Sequence, residues 1–130
     1  MYSEIYLVDD MEMVNVIHQV LIRQLGMEDK VRSFTNPEEA LDKLRFNKEK
    51  TEPILVLLDI QMPEMSGFEF LEFMVLEGFP SSIDVVVVTV SDSEEDKILA
   101  KQYPQFVKGF VSKPIKMETL KEFTMISKSA

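Results

Sequence analysis

The amino-acid sequence predicts an α/β fold built around a parallel sheet. Along its 130 residues, short runs rich in Val, Ile and Leu alternate with longer stretches whose apolar residues recur every three or four positions. The short runs lack polar alternation, which is typical of strands covered on both faces. The strand–helix pair is repeated five times. Because such pairs are joined by right-handed crossovers, the pattern favours a doubly wound sheet with the order 2-1-3-4-5 and five helices.

The first two strand–helix pairs come before residue 47. Ile5–Val8 predicts the first strand, and the helix after it carries an apolar stripe that Gly26 ends. Members of that stripe are Val14, Ile17, Leu21 and Leu25. Val31–Phe34 predicts the second strand, and Thr35–Asn36 followed by Pro37 predicts a capped helix start. We expect this second helix to bury Ala40, Leu41, Leu44 and Phe46.

The other three pairs follow a charged loop, Asn47–Pro53. The predicted strands are Ile54–Leu58, Ile83–Val88 and Gly109–Val111. The third helix is predicted over Glu64–Glu77 before Gly78, with Phe68, Leu71 and Val75 facing the core. The fourth helix is predicted from about Asp92 to Tyr103, where Pro104 stops it. The last is predicted over Lys116–Ser127, with its inward residues at Leu120, Phe123 and Ile126.

Composition excludes several classes of protein. The formal net charge of −9 argues against non-specific binding to nucleic-acid phosphates. The chain has no cysteine, which excludes a disulfide framework and a thiolate metal site. No apolar run approaches the roughly 18–20 residues that span a bilayer. We therefore expect a cytoplasmic protein of one domain over residues 1–130, without direct nucleic-acid binding or membrane insertion.

Polar side chains that can do chemistry follow four of the five strands. In an open α/β sheet, ligands bind outside the carboxyl ends of the strands, so these residues should share one edge. They are Asp9, Asp10, Asp59, Thr89 and Lys113. Three clustered carboxylates repel one another unless a cation is present, and Mg²⁺ prefers oxygen ligands. Lys113 supplies a positive charge for a phosphoryl oxygen, Thr89 a hydroxyl donor, and Asp59 a nucleophile that could form an aspartyl phosphate.

At these positions the chain resembles the receiver domain of two-component response regulators, which has a flavodoxin-like fold. The resemblance covers essentially the whole sequence. It rests on four motifs in order, each at a predicted strand end: LVDD with Asp9 and Asp10, LLDIQMPEMSG with Asp59 and Gly67, VVTVS with Thr89, and FVSKPI with Lys113 and Pro114.

The resemblance implies a set of roles. Asp59 would accept a phosphoryl group from a phosphohistidine on a sensor histidine kinase or histidine phosphotransfer protein, with Lys113 and Thr89 assisting. Mg²⁺, or Mn²⁺ in its place, would be held by Asp10, Asp59 and the backbone carbonyl of Gln61, with Asp9 acting through water. A cis peptide bond is implied before Pro114.

The family's switch corresponds to Thr89 and Phe110 in this sequence. Phosphorylation would draw Thr89 toward the phosphoryl group and Phe110 inward, which would reshape the face formed by the fourth helix, fifth strand and fifth helix. One position departs from the family: the residue after the threonine is usually small, and here it is Val90. We expect Val90 to narrow access to Asp59, and Gln61 and Ser91 to tune the phosphoryl lifetime.

Three functions are compatible with this sequence. The first is a stand-alone, phosphorylation-controlled binding module without an output domain, which catalyses only its own phosphorylation and dephosphorylation. The second is a phosphorelay intermediate or phosphate sink, and the third is a phosphorylation-independent scaffold. The downstream protein partner is open, as is the choice between a monomer and a phosphorylation-dependent dimer. His18, the one histidine, lies off the apolar stripe of its helix, and we expect it at the solvated surface.

Overall fold

A computed structural model describes residues 2–47 and 52–125. The strands are β1 (Glu4–Val8), β2 (Val31–Phe34), β3 (Ile54–Leu58), β4 (Ile83–Thr89) and β5 (Val107–Ser112). The helices are α1 (Glu12–Gln24), α2 (Pro37–Phe46), α3 (Gly67–Leu76), α4 (Glu94–Ala100) and α5 (Met117–Met125). Residues 48–51 of the predicted charged loop, and residues 126 and 127 of the last predicted helix, lie outside the described residues.

The five strands form one parallel sheet in the order β2-β1-β3-β4-β5, as predicted. β3 and β4 are buried along their whole length, which explains the absence of polar alternation in their sequences. One face of the sheet packs against α2 and α3 through residues such as Tyr6, Leu41 and Phe70. The opposite face packs against α1 and α5 through Ile22 and Leu120. The chain is therefore doubly wound.

Local sequence explains most helix boundaries. The side chain of Asn36 accepts a hydrogen bond from the Glu38 amide with Pro37 at the first helical position, and Ser66 forms a capping box with Glu69. α3 therefore begins at Gly67, three residues later than predicted, because Ser66 supplies the cap. Gly26 and Gly78 adopt positive φ angles of 78° and 65° directly after α1 and α3, where they were expected to end the helices.

Three predictions about buried helix faces are wrong. Val75 of α3 was expected to face the core and is 39% exposed. Phe46 is 87% exposed, because it lies at the last position of α2, beyond the helix face that packs on the sheet. In α1 the buried residues are Asn15, His18 and Ile22, whereas Ile17 of the predicted stripe is 42% exposed. Within residues 2–47 and 52–125, no helix combines the length and apolar character needed to cross a membrane.

Candidate functional site

The carboxyl ends of β1 and β3 bring three aspartates to one edge of the sheet. The strands pair with Val8 opposite Leu58, and the Asp59 amide donates a hydrogen bond to the Val8 carbonyl at 3.0 Å. Asp9 and Asp59 therefore occupy matching positions, each directly after the last residue of its strand. Both are buried, at 3% exposure each, while Asp10 is more accessible. The buried strand β3 thus ends on a carboxylate because its carboxyl end forms this edge.

Lys113 lies between two of these carboxylates. Its Nζ is 2.5 Å from Asp9 Oδ2 and 3.2 Å from Asp59 Oδ2. The Lys113 amide donates to the Thr89 carbonyl at 2.9 Å, which positions the residue at the end of β5 beside the end of β4. The Lys113–Pro114 peptide bond is cis. A single ammonium group thus bridges carboxylates from two neighbouring strands.

Backbone hydrogen bonds fix the orientation of both buried carboxylates. Asp9 Oδ1 accepts from the Met11 amide at 2.9 Å, and Asp59 Oδ1 accepts from the Gln61 amide at 3.1 Å. In each aspartate, one oxygen is therefore bound to the turn that follows the strand and the other to Lys113. This arrangement aims the Asp59 side chain at the edge of the sheet before any ligand is bound.

Gly67 sets the close approach of α3 to the segment after Asp59. Its amide donates to the Ile60 carbonyl at 3.1 Å. A Cβ atom added at position 67 would lie 2.7 Å from both the Asp59 carbonyl oxygen and Ile60 Cα. Backbone atoms cannot move away as a flexible side chain can, so only glycine fits here. Steric exclusion of any side chain thus explains why the second motif, LLDIQMPEMSG, ends in glycine.

The three aspartates can meet one metal ion. One carboxylate oxygen from each of Asp9, Asp10 and Asp59 lies within 4.8 Å of the others. All three donors are hard oxygens, and one ammonium, that of Lys113, faces two of the carboxylates. This donor set and excess of negative charge fit Mg²⁺, which binds through one or two carboxylates and keeps several waters.

The burial of the site changes its titration. Burial raises the pKa of Asp59, opposed by the hydrogen bond from the Gln61 amide; the negative charge of Asp9 raises it further, and Lys113 lowers it. For Lys113, burial lowers the pKa, but the hydrogen bond to Asp9 and the charges of Asp59 and Asp9 raise it overall. Lys113 is therefore held as a cation, and its charge offsets part of the net rise in the pKa of Asp59.

The end of β4 contributes Thr89, Val90 and Ser91. Thr89 is fully buried, and its Oγ1 accepts a hydrogen bond from the Ser91 amide at 3.2 Å. Val90 is 69% exposed and lines the groove that contains Asp59 and Lys113. Phe110 lies on β5, partly buried against a small cluster of Ile60, Val87 and Ala100. Phe110 therefore contacts a cluster that joins Ile60, next to Asp59, with Ala100 of α4.

Comparison with known proteins shows the family of this chain. The family model described as the response regulator receiver domain matches residues 5–124. The chain belongs to the receiver-domain family. It is 32% identical to a protein named as a probable methanogenesis regulatory protein, FilR2 of Methanothrix harundinacea, over 90% of this chain and 76% of that protein. It is 37% identical to the protein PilH of Pseudomonas aeruginosa over 52% of this chain, and that match spans 54% of PilH.

A solved structure supports the same fold. The two-component response regulator of Legionella pneumophila superposes with a TM-score of 0.80 at 23% identity, covering 98% of each chain. Receiver domains are signalling modules that are phosphorylated on an aspartate. The predicted flavodoxin-like fold, with its sheet order, is therefore confirmed.

The candidate site includes a buried asparagine that sequence reasoning missed. Asn15 Nδ2 donates to the carbonyl oxygens of Asp9 at 3.0 Å and Phe34 at 3.1 Å. It thereby joins the ends of β1 and β2 and fixes the backbone that carries Asp9 and Asp10. An asparagine six residues after Asp9, on a helix with many apolar residues, was the available signal.

The prediction for His18 is wrong, because this residue is 2% exposed rather than solvated. One turn after Asn15 on the same face of α1, it lines a groove of about 440 Å³ together with Asp59, Val90 and Lys113. Its Nε2 is buried and has no hydrogen-bond partner in the described part of the chain. Burial lowers the pKa of His18; the charge of Asp9 raises it, and that of Lys113 lowers it. The imidazole therefore favours its neutral form.

Proposed function

We propose that this receiver domain accepts a phosphoryl group on Asp59 from a phosphohistidine of a sensor kinase or phosphotransfer protein. The observation that carries the proposal is the geometry of Asp59, a buried carboxylate held by Lys113 and the Gln61 amide beside two further aspartates. An Asp59 oxygen attacks the phosphorus, the bond from phosphorus to the donor nitrogen breaks, and the imidazole leaves with that electron pair. Lys113 offsets the negative charge of the phosphoryl oxygens.

Mg²⁺, or Mn²⁺, fits the acidic cluster as the cofactor. Asp10, Asp59 and the backbone carbonyl of Gln61 would hold it directly, and Asp9 through water. When bound, the ion neutralises charge on the phosphoryl oxygens. The contribution of this chain is to hold the Asp59 carboxylate in a fixed orientation, since one oxygen accepts a hydrogen bond from the Gln61 amide and the other is bound to Lys113.

Signalling would follow from Thr89 and Phe110. The Thr89 hydroxyl would donate a hydrogen bond to a phosphoryl oxygen, and Phe110 would move into the space that Thr89 leaves. Because Phe110 also lines the groove between α4 and β5, this movement changes the α4-β5-α5 face that a downstream protein contacts. We propose that the cytoplasm is its compartment, where kinase and partner meet it.

A titration by NMR with Mg²⁺ and then beryllofluoride, a phosphoryl mimic, tests the function. In the wild type, we expect Mg²⁺ to shift the amides after β1 and β3, and beryllofluoride to shift Thr89, Phe110 and α4. The matched variant Asp59→Asn should lose the beryllofluoride response. A wild-type protein that binds neither ligand would refute the proposal and favour a phosphorylation-independent scaffold.

A further inference from the structure

The connection from β4 to α4 contains a hydrogen-bonded chain that begins at Thr89. The Ser91 amide donates to Thr89 Oγ1 at 3.2 Å, and the Ser91 hydroxyl donates to Asp96 Oδ2 at 2.5 Å. Ser91 is therefore bound through its backbone to Thr89 and through its side chain to α4. Any movement of Thr89 that carries the Ser91 backbone with it must also strain the bond to Asp96.

Further bonds fix Asp96 in the first turn of α4. The Asp96 amide donates to Ser93 Oγ, and the Ser93 amide donates to Ser91 Oγ, each at 3.3 Å. Asp96 is half-buried, while its neighbour Glu95 is exposed. The nearby cation Lys97 pairs with Asp92 and Glu94 at 3.5 Å each. The Asp96 carboxylate is thus directed at Ser91, and a hydrogen bond to an ionised group is stronger than one between neutral groups.

We propose that Asp96 is a positioning residue that acts through Ser91 to hold Thr89 in its resting place. This inference rests on the proposed function, because it names a contact that opposes the movement of Thr89 on phosphorylation. A phosphoryl group that draws Thr89 toward Asp59 displaces Ser91 from Asp96. The free energy of the Ser91–Asp96 hydrogen bond is then lost, which weakens the binding of the phosphoryl group or its mimic by that amount. The Ser91–Asp96 bond therefore favours the resting state of the α4-β5-α5 face.

Removing the carboxylate tests this role. In Asp96→Ala we expect beryllofluoride to bind at least about tenfold more tightly than in the wild type, as the loss of one charge-assisted hydrogen bond predicts. Ser91→Ala should give a similar gain, and the double variant should gain little more, because both changes remove the same bond. The Thr89 amide resonance should move toward its beryllofluoride-bound position in each variant before the ligand is added.

Two further variants separate this role from a structural one. Glu95→Ala removes an equal charge from the same turn of α4 and should leave beryllofluoride affinity unchanged. Asp96→Asn keeps an oxygen acceptor and should restore part of the wild-type affinity, which general damage to α4 would not do. An unchanged or weaker affinity in Asp96→Ala, with the wild type still binding, would overturn this inference alone. If the wild type itself failed to bind beryllofluoride, the proposed function would fail and this inference with it.

Discussion

At the scale of single residues, burial and the charges around Asp59 set how readily its carboxyl group ionises. Burial raises the pKa of this carboxyl group, whereas the Gln61 amide and the Lys113 ammonium lower it. The proposed phosphoacceptor must be deprotonated to attack phosphorus, so Lys113 would assist phosphorylation by favouring the ionised form of Asp59. Because Lys113 also contacts Asp9 at 2.5 Å, loss of Asp9 would change the position of Lys113 as well as the metal site.

Val90 should limit the access of small molecules to Asp59. It lines the groove beside Asp59 and is 69% exposed, so truncation opens the approach without leaving a core cavity. We expect Val90→Ala to accept phosphate from phosphoramidate about threefold faster, which corresponds to a barrier lower by about 0.7 kcal/mol. Hydrolysis of the aspartyl phosphate should accelerate as well. Stopped-flow or gel-based phosphorylation kinetics measure both rates.

Val20→Ala is the matched control for Val90→Ala. Val20 is 38% exposed on α1, and the substitution removes the same atoms away from the groove. Its phosphorylation and hydrolysis rates should equal those of the wild type. Equal rates in Val90→Ala and the wild type would show that the valine does not restrict access.

His18 should make the folded protein sensitive to mild acid. Burial lowers its pKa in the folded state, with the charge of Asp9 opposing and Lys113 adding to the shift. As pH falls below about 6.5, the unfolded chain binds a proton that the folded chain resists, so stability declines until the folded pKa is reached. In this window the free energy of unfolding should fall by at most about 1.4 kcal/mol per pH unit more than in His18→Gln.

Urea titrations of both proteins between pH 7 and 5, without divalent ions, measure that difference. The carboxyl groups titrate in both proteins, so only the difference in slope reports on His18. Parallel curves would mean that the imidazole is solvated or paired in the folded state, contrary to its 2% exposure.

The residues of the site differ in how far sequence could predict their places. Asp9, Asp59 and Lys113 directly follow strands, and a parallel sheet brings strand ends together whatever the side-chain packing. His18 and Asn15 could not be placed in this way. Their burial depends on the rotation of α1 about its axis, and the abundance of apolar residues on α1 leaves two competing faces.

At the scale of elements, capping residues and strand composition fixed the order and type of each segment. Strand bounds agree within about two residues. α2 begins at Pro37 as predicted, because Asn36 acts locally as its cap, and the glycines after α1 and α3 follow the helix ends as expected. α4 is shorter than predicted and ends at Ala100 rather than near Tyr103. Which apolar residues stay exposed, such as Phe46 and Ile17, depends on tertiary contacts that periodicity does not contain.

The start of α3 should be intolerant of any side chain at position 67. Alanine normally stabilises a helix by about 1 kcal/mol relative to glycine, but here its Cβ would meet backbone atoms at 2.7 Å. We expect Gly67→Ala to lower the free energy of unfolding by about 3 kcal/mol, as overpacking does. The Mg²⁺ affinity should fall too, since the colliding atoms belong to Asp59 and Ile60. Urea denaturation and NMR titration measure the two effects.

Gly78→Ala provides the same substitution at the other end of α3. An added Cβ there meets nothing within 4 Å, and only the φ angle of 65° opposes it. We expect a loss of about 1 kcal/mol and no change in Mg²⁺ affinity. A Gly67→Ala variant as stable as the wild type would show that the backbone after Asp59 can move away.

At the scale of the whole molecule, negative charge connects stability to function. The net charge of −9 opposes compaction, and three carboxylates converge at one edge with a single lysine between two of them. A divalent cation bound there relieves this repulsion only in the folded state, because the three aspartates come from two strands that meet on folding. Folding and metal binding should therefore be coupled.

Magnesium should raise the free energy of unfolding by about 2.7 kcal/mol at a concentration of 100 times its Kd. The gain should follow a saturable curve in the wild type and be largely lost in Asp10→Asn, which removes the most accessible of the three carboxylates. Sodium chloride at equal ionic strength screens the overall charge in both proteins and should give a smaller rise without saturation. Thermal unfolding at a series of Mg²⁺ concentrations measures the effect. If Mg²⁺ and sodium chloride stabilised both proteins equally, the acidic edge would be responding to charge screening alone.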